Sequence, residues 1–159
     1  MKKLLLVAVL LLIVSALSFA QSTTANVTAN VNATLSINRT ADLALGNVNQ
    51  GQTVTVLSTG TCAAFTITGA ASAATTVTVT FPSNLVYSGN DLPFTGQTPR
   101  YNTTAVQGTS TAFGSLTGGS TTTSGTGNLY IWVGGGVTAS SSQVVGSYTG
   151  TITCAFTQP

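Results

Sequence analysis

The sequence predicts an all-β protein, a β-sandwich of about eight to ten short strands with a long N-terminal strand. Two observations carry this prediction. Ser, Thr, Val, Ala, Gly and Asn dominate the chain, and β-branched residues favour strands whereas Gly and Asn favour turns. Short runs of alternating polar and apolar residues recur at even spacing, and no segment combines helical periodicity with good helix formers. A closed barrel is the alternative architecture.

Residues 1–20 predict a secretory signal peptide that is removed from the mature protein. They combine the basic start "MKK", an apolar run, and small residues at Ser18 and Ala20, where signal peptidase cleaves. The apolar run covers about 14–17 residues, which is short for a membrane span. We therefore expect a protein that is secreted to the extracellular space or the cell surface. The remaining 159 − 20 = 139 residues fit one domain, with an N-terminal extension at 21–34 and a β-sandwich domain at 35–159.

Few charged side chains are left once the signal peptide is removed. They are Arg39, Asp42, Asp91 and Arg100, and no His, Glu or Lys accompanies them. A chain without a basic face is a poor binder of nucleic acid, and a chain without His or a carboxylate pair lacks the groups for acid–base or nucleophilic catalysis. An uncharged surface also lacks the repulsion that keeps soluble proteins apart, which favours a protein that lives in an assembly.

The first predicted strand, residues 25–37, is unusually long. Apolar residues occupy every odd position and polar residues every even position, which gives a strand one dry face and one wet face. Thirteen strand residues span about 44 Å at roughly 3.4 Å each, more than a sandwich of this size needs. The segment is either a native strand that bends from one sheet to the other, or a donor strand that fills a groove in a neighbouring copy.

The donor-strand interpretation depends on a row of small apolar residues. They are Ala25, Val27, Ala29, Val31 and Ala33. Such a row suits a narrow groove, because an added strand gains main-chain hydrogen bonds while its alternate side chains fill pockets. A head-to-tail contact that does not close produces a filament. It also covers an edge strand that would otherwise aggregate.

The other predicted strands follow in chain order. They are 42–48, 53–58, 63–69, 75–81, 84–91, 128–137 and 146–156. In the last of these, Tyr148, Ile152, Cys154 and Phe156 share one face. Residues 97–126 are rich in Gly, Ser and Thr and predict a loop or a ragged sheet edge.

Three stretches resemble a family of secreted bacterial proteins catalogued as domain of unknown function four-four-zero-two. They are "LSINRTADLALGNVNQGQTVTV", "AAFTITGA" and "LYIWVGGGVTASSSQVVGSYTGTITCAF", which together cover most of the mature chain. The resemblance implies an immunoglobulin-like surface or fimbrial sandwich domain without catalytic residues. The chain departs from the family pattern in its pair of cysteines and in its long first strand.

The two cysteines, Cys62 and Cys154, predict an intramolecular disulfide, because a secreted chain meets an oxidising compartment. The bridge would close a loop of about 90 residues and stabilise the fold by roughly 4–5 kcal/mol in the chain-entropy model. Cys62 is out of phase with Phe65 and Ile67, so we expect it just before its strand or at a bulge. Two cysteines without His make a poor metal site.

An aromatic pair offers the alternative functional feature. Tyr130 and Trp132 are two residues apart in one predicted strand and therefore share a face. The pair is either a platform on which sugar rings stack, or part of the core with Ile131 and Val133 facing the other way. We favour Trp132 as a core residue.

Together these features predict an extracellular structural protein, a pilus-like or fibre subunit whose partners are copies of itself. The alternative is a secreted, monomeric carbohydrate-binding or adhesive module that keeps its own N-terminal strand in place and binds a surface glycan. We expect no enzymatic activity, no cofactor and no metal site. We also expect no nucleic-acid partner and no membrane contact after the signal peptide is removed.

Overall fold

The computed structural model of the chain describes residues 23–159, and the predicted signal peptide lies outside the described residues. The chain divides into two units, Met1–Val31 and Asn32–Pro159. Residues 23–35 contain neither helix nor strand, whereas the rest of the described chain is built from strands and one short 3-10 helix at Gln107–Thr109. None of the helical segments among residues 23–159 is long and apolar enough to cross a membrane.

The all-β prediction is confirmed, with 12 strands in the described residues. They are β1 (Ser36–Ala41), β2 (Thr53–Val56), β3 (Ala63–Thr68), β4 (Ala74–Thr80), β5 (Asn84–Tyr87), β6 (Asn90–Gly96), β7 (Arg100–Asn102), β8 (Thr111–Ala112), β9 (Gly118–Thr122), β10 (Asn128–Val133), β11 (Gly135–Thr138) and β12 (Thr153–Thr157). The count exceeds the predicted range partly because three of these strands lie in the segment predicted as a loop, 97–126.

The strands form three antiparallel sheets, an arrangement consistent with a β-sandwich. The five-stranded sheet has the order β1-β3-β10-β7-β8, the four-stranded sheet β2-β11-β6-β5 and the three-stranded sheet β12-β4-β9. Strands far apart in sequence are neighbours in each sheet: β3 pairs with β10 and β12 pairs with β4. Strands β1 and β12 lie at sheet edges. β1 pairs with β3, and β12 pairs with β4.

A first core cluster lies between the five-stranded and the three-stranded sheets. Alternate residues of β3, β4 and β10 supply it, as the period of a strand requires. Its buried members are Ala63, Phe65, Ile67, Val77, Val79, Phe113, Leu129, Ile131 and Val133. Burying each large apolar side chain contributes about 1.5–3 kcal/mol relative to leaving it exposed. This cluster therefore holds the two sheets together.

A second core cluster lies under the four-stranded sheet, around Leu92, Val137 and Ala139. It is linked to the first because the predicted strand 128–137 is two strands, β10 and β11, that meet at Gly134. A Cβ atom at Gly134 would collide with the Val56 carbonyl oxygen. Only glycine lets the chain pass so close to its neighbour, and this contact explains the start of the run "GGG".

The structure corrects the prediction of one long strand over residues 25–37. Strand β1 begins at Ser36, and its pairing with β3 starts at the pair Ser36 and Thr68, where β3 ends. A strand forms only where a neighbour satisfies its main-chain hydrogen bonds. Residues 25–35 have no such neighbour within the described chain, so the native-strand interpretation does not hold there. Ile37 packs against the first core cluster as predicted.

Candidate assembly groove and N-terminal extension

A large groove opens between two chain segments that are not part of any sheet. Its volume is about 1030 Å³, and its two flanks are residues 41–50 and residues 143–152. We call it the edge groove. Both flanks contain segments predicted as strands, 42–48 and the first part of 146–156, and the structure corrects these predictions because 42–48 has no strand and β12 begins only at Thr153.

The floor of the edge groove is apolar. It includes Phe65 from the first core cluster and Leu85, Leu92, Phe94 and Val137 from the second. None of these residues is predicted from the sequence as part of a site. Phe65, Leu92 and Val137 are buried in the single chain, and polar side chains line much of the flanks above them, so the groove combines an apolar floor with polar walls.

The side chains on the two flanks alternate in part as in strands. Leu43 and Leu45 on the first flank are half-buried and pack against the core clusters, as does Val48, which is one position out of phase with them. Tyr148 and Ile152 do the same on the second flank, as their predicted common face requires. The flanks therefore have the side-chain pattern of sheet strands without a partner on the groove side.

The two flanks run in opposite directions and meet at one end. Gln50 Nε2 donates a hydrogen bond of 2.6 Å to the Gln143 carbonyl oxygen, and the Gly51 amide donates to the Ser140 carbonyl oxygen at 3.1 Å. At the other end, Leu43 and Ile152 pack against the first core cluster, and no hydrogen bond among the described residues joins the two flanks. We call the hydrogen-bonded end near Gln50 the closed end and the end near β1 the open end.

Main-chain groups of the second flank face the edge groove. Val86 in β5 and Thr149 exchange two hydrogen bonds of 2.8 and 3.2 Å, which form an isolated bridge. Residues adjacent to such a pair direct their N–H and C=O groups to the opposite side of the segment. Tyr148 and Gly150 therefore present these groups away from β5, as an exposed edge does.

The N-terminal extension has exposed apolar side chains and no strand partner within the described chain. Val27 is 93% exposed and Val31 is 96% exposed, although both are apolar. No strand pairing within the described chain includes them or the predicted donor residues Ala25, Ala29 and Ala33. The extension contains no charged residue, so burial of its apolar face requires no desolvation of a charge.

The structure corrects the predicted disulfide, because Cys62 and Cys154 are both free thiols. Cys62 precedes β3 by one residue and is out of phase with the core residues of that strand; its Sγ lies 3.2 Å from Gln107 Nε2. Cys154 lies in β12 opposite Val79 and packs against the first core cluster. Burial raises the pKa of the Cys62 thiol and raises the pKa of Cys154 to about 11.

The aromatic pair lies on the five-stranded sheet. The rings of Tyr130 and Trp132 stack with their centroids 6.3 Å apart, on the face opposite Ile131 and Val133, which belong to the first core cluster. Trp132 is only 9% exposed and belongs to neither core cluster. A sugar ring needs an open aromatic face on which to stack, and Trp132 offers little of its own.

The charged side chains of the described residues form local contacts. No group of three His, Cys, Asp or Glu side chains that could hold a metal ion occurs in 23–159. Arg39 Nη1 and Asp42 Oδ1 form an exposed ion pair at 2.5 Å. Arg100 donates to the Ser110 hydroxyl through Nε at 2.9 Å and also to the Ser110 carbonyl oxygen. Arg39 and Asp42 both line the edge groove at its end near β1, whereas the Arg100 contacts join neighbouring parts of the chain.

Comparisons with known proteins found no match, since no family model and no curated protein matches this chain. The resemblance to the bacterial surface family therefore stays a prediction.

Proposed function

We propose that this protein is an extracellular structural protein, a subunit of a pilus-like fibre. In this proposal, residues 25–33 of one copy enter the edge groove of the next copy as a donor strand. The observation that carries the proposal is that one chain has both a groove with an apolar floor and an exposed segment with alternating apolar side chains. The groove lacks a strand, and the extension has the alternation of a strand without a partner.

The physical gain from this insertion is substantial. Burying Val27 and Val31 contributes about 1.5–3 kcal/mol for each side chain. Each main-chain hydrogen bond to the flanks adds a net contribution of about 0.5–1.5 kcal/mol. In this proposal the insertion also pairs the main-chain groups of residues 41–50 and 143–152, which would otherwise attract unspecific pairing.

The contact is head-to-tail, because the donor and acceptor surfaces lie on different parts of the chain. Such a contact builds an open filament when the rotation between successive copies does not close a ring. The near absence of charge fits this arrangement, since closely stacked copies repel one another little.

Deletion of residues 22–33 tests the proposal. The shortened chain keeps Ile37 and the whole sandwich, so it should be secreted and folded, but it should form no filaments under the electron microscope. Purified deletion protein mixed with a synthetic peptide of residues 22–33 should bind the peptide, because its edge groove remains free. Normal filaments from the deletion variant would refute the proposal.

A further inference from the structure

The geometry of the edge groove determines the direction in which a donor strand can enter. This inference rests on the proposed function above. Because the two flanks are antiparallel, any strand between them is parallel to one flank and antiparallel to the other. Hydrogen bonds join the flanks at the closed end near Gln50 and Gln143, whereas no hydrogen bond among the described residues joins them at the open end near β1.

The short connection between the extension and its own domain selects one of the two directions. Only Thr34 and Leu35 separate Ala33 from Ser36, where β1 begins. Two extended residues span about 7 Å, so the donor's own domain lies directly beyond Ala33. A whole domain does not fit past the closed end, and Ala33 must therefore lie at the open end. The donor strand then runs parallel to residues 143–152 and antiparallel to residues 41–50.

Two glycines of the second flank fix the register. A Cβ at Gly146 would collide with the Tyr87 ring, and a Cβ at Gly150 would lie 2.5 Å from Leu85 Cδ2. Side chains from β5 therefore already occupy the space over both glycines. A donor strand beside this flank has room there only for small residues.

The extension supplies small residues at the same spacing. Inward positions of the flank read Gly146, Tyr148, Gly150 and Ile152, and the dry face of the extension reads Ala25, Val27, Ala29 and Val31. With the alanines beside the glycines, the valines pair with Tyr148 and Ile152. A shift of two residues would push a valine against Leu85 or Tyr87.

A shift of four residues keeps the alternation but is also unfavourable. In one direction it draws Leu35, the residue before β1, into the groove and forces the donor domain against the acceptor. In the other direction it places polar Thr23 beside Tyr148. The alignment without a shift avoids both problems.

We propose that the donor strand binds in this register, with Ala29 beside Gly150 and with Ala33 beside Cys154 of the acceptor copy. Cys154 is two residues beyond Ile152 and is a free thiol in β12, at an edge of the three-stranded sheet. The native cysteine thus marks the position at which the donor leaves the groove.

The same extension would reach its own groove only through a tight hairpin at Thr34 and Leu35. Two-residue hairpin turns require positive φ angles and favour Asn-Gly, Asp-Gly or Gly-Gly. A β-branched Thr followed by Leu fits such a turn poorly. The register is therefore assigned to a contact between copies.

The test is a disulfide trap in filaments. Chains that carry Cys62→Ser and Ala33→Cys are assembled with an excess of Cys62→Ser chains, and the filaments are oxidised with copper phenanthroline at pH 9. We expect covalent dimers and longer multimers on a non-reducing gel, which a reductant dissolves, and a linked peptide pair that joins positions 33 and 154. Adding Cys154→Ser to both chains should abolish this linked pair.

Two matched variants separate failure of the register from failure of the proposed function. Val31→Cys should be trapped by Cys154 if the strand is shifted by two residues, and Ala25→Cys if the strand is reversed. If the filaments give a disulfide from Val31→Cys or from Ala25→Cys to Cys154, the register is wrong but the proposed function stands. The same holds if filaments form and no disulfide to Cys154 appears, although both thiols react after denaturation. A linked pair within one monomer would overturn the assignment between copies. If the Cys62→Ser parent and the unsubstituted chain both form no filaments, the proposed function itself fails.

Discussion

Two regions of the molecule have the same alternation of inward and outward side chains but different backbone structure. One lies between the five-stranded and three-stranded sheets, and the other surrounds the edge groove. In the first region, Val77 and Val79 alternate with threonines in β4, which is paired on both sides. Around the groove, Tyr148 and Ile152 alternate with exposed residues in a segment held by one bridge. Alternation therefore decides which way side chains point, whereas a strand also needs a neighbouring segment that satisfies its main-chain hydrogen bonds.

The largest effect is expected on assembly, from charges on the dry face of the extension. Val27→Asp combined with Val31→Asp would bring unpaired carboxylates into an apolar groove, which costs far more than the lost valine contacts. We expect no filaments by electron microscopy. The folded domain should keep its thermal stability, because both valines are almost fully exposed in the single chain.

The control for this prediction is Asn30→Asp on the wet face of the same segment. It adds a charge but leaves the dry face unchanged, so filaments should form. Normal assembly of the double aspartate variant would mean that residues 25–33 do not enter an apolar groove.

The next largest effect is expected on folding, from Trp132→Ala. Removal of a large buried aromatic side chain costs about 3–5 kcal/mol, and a thermal melt should show a strongly destabilised or unfolded domain. A melt that stays unchanged, together with lost binding in a polysaccharide-binding assay, would instead favour the alternative function as a carbohydrate-binding module. Tyr130→Ala on the same face should cost less, because Tyr130 is only half-buried.

A direct comparison of the two regions uses one residue type. Ile131→Ala removes a side chain from the first core cluster and should lower the free energy of unfolding by about 2–5 kcal/mol. Ile152→Ala, at the open end of the edge groove, should lower it by less because Ile152 is only half-buried. Urea unfolding of the monomers measures both values, and equal losses would contradict the view that the groove region is the incompletely packed one.

The smallest effect is expected from the titration of Cys154. Burial raises the pKa of this thiol from 9.0 to about 11, so the folded state favours the protonated form more than the unfolded state does. This stabilisation is complete below pH 9 and is lost as the pH rises through 11. The unfolding free energy should therefore fall over that range, and the fall should be smaller in Cys154→Ala. An identical pH dependence in both proteins would show that the thiol does not contribute.

The sequence alone predicts the fold class and the face on which many side chains lie, but it does not predict the edge groove. The inward positions Ile37, Phe65, Ile67, Tyr148 and Phe156 were predicted from alternation, and all pack against a core cluster. The edge groove was not predicted, because its flanks have the same pattern as the paired strands. The spacing of Gly146 and Gly150 was a visible signal, although its meaning depends on the side chains of β5 that lie over these positions.

The features that follow from the sequence alone are therefore local. A chain of β-branched and small polar residues forms strands, and its alternation decides which side chains face inward. Which of those segments have strand partners depends on the tertiary fold. The residues at 42–48 and 146–152 line the edge groove, the extension at 25–33 has no strand partner among residues 23–159, and the two cysteines face different surroundings. Hydrogen bonds between strands and contacts between sheets join residues far apart in the chain, so no local pattern specifies which strand positions stay unfilled.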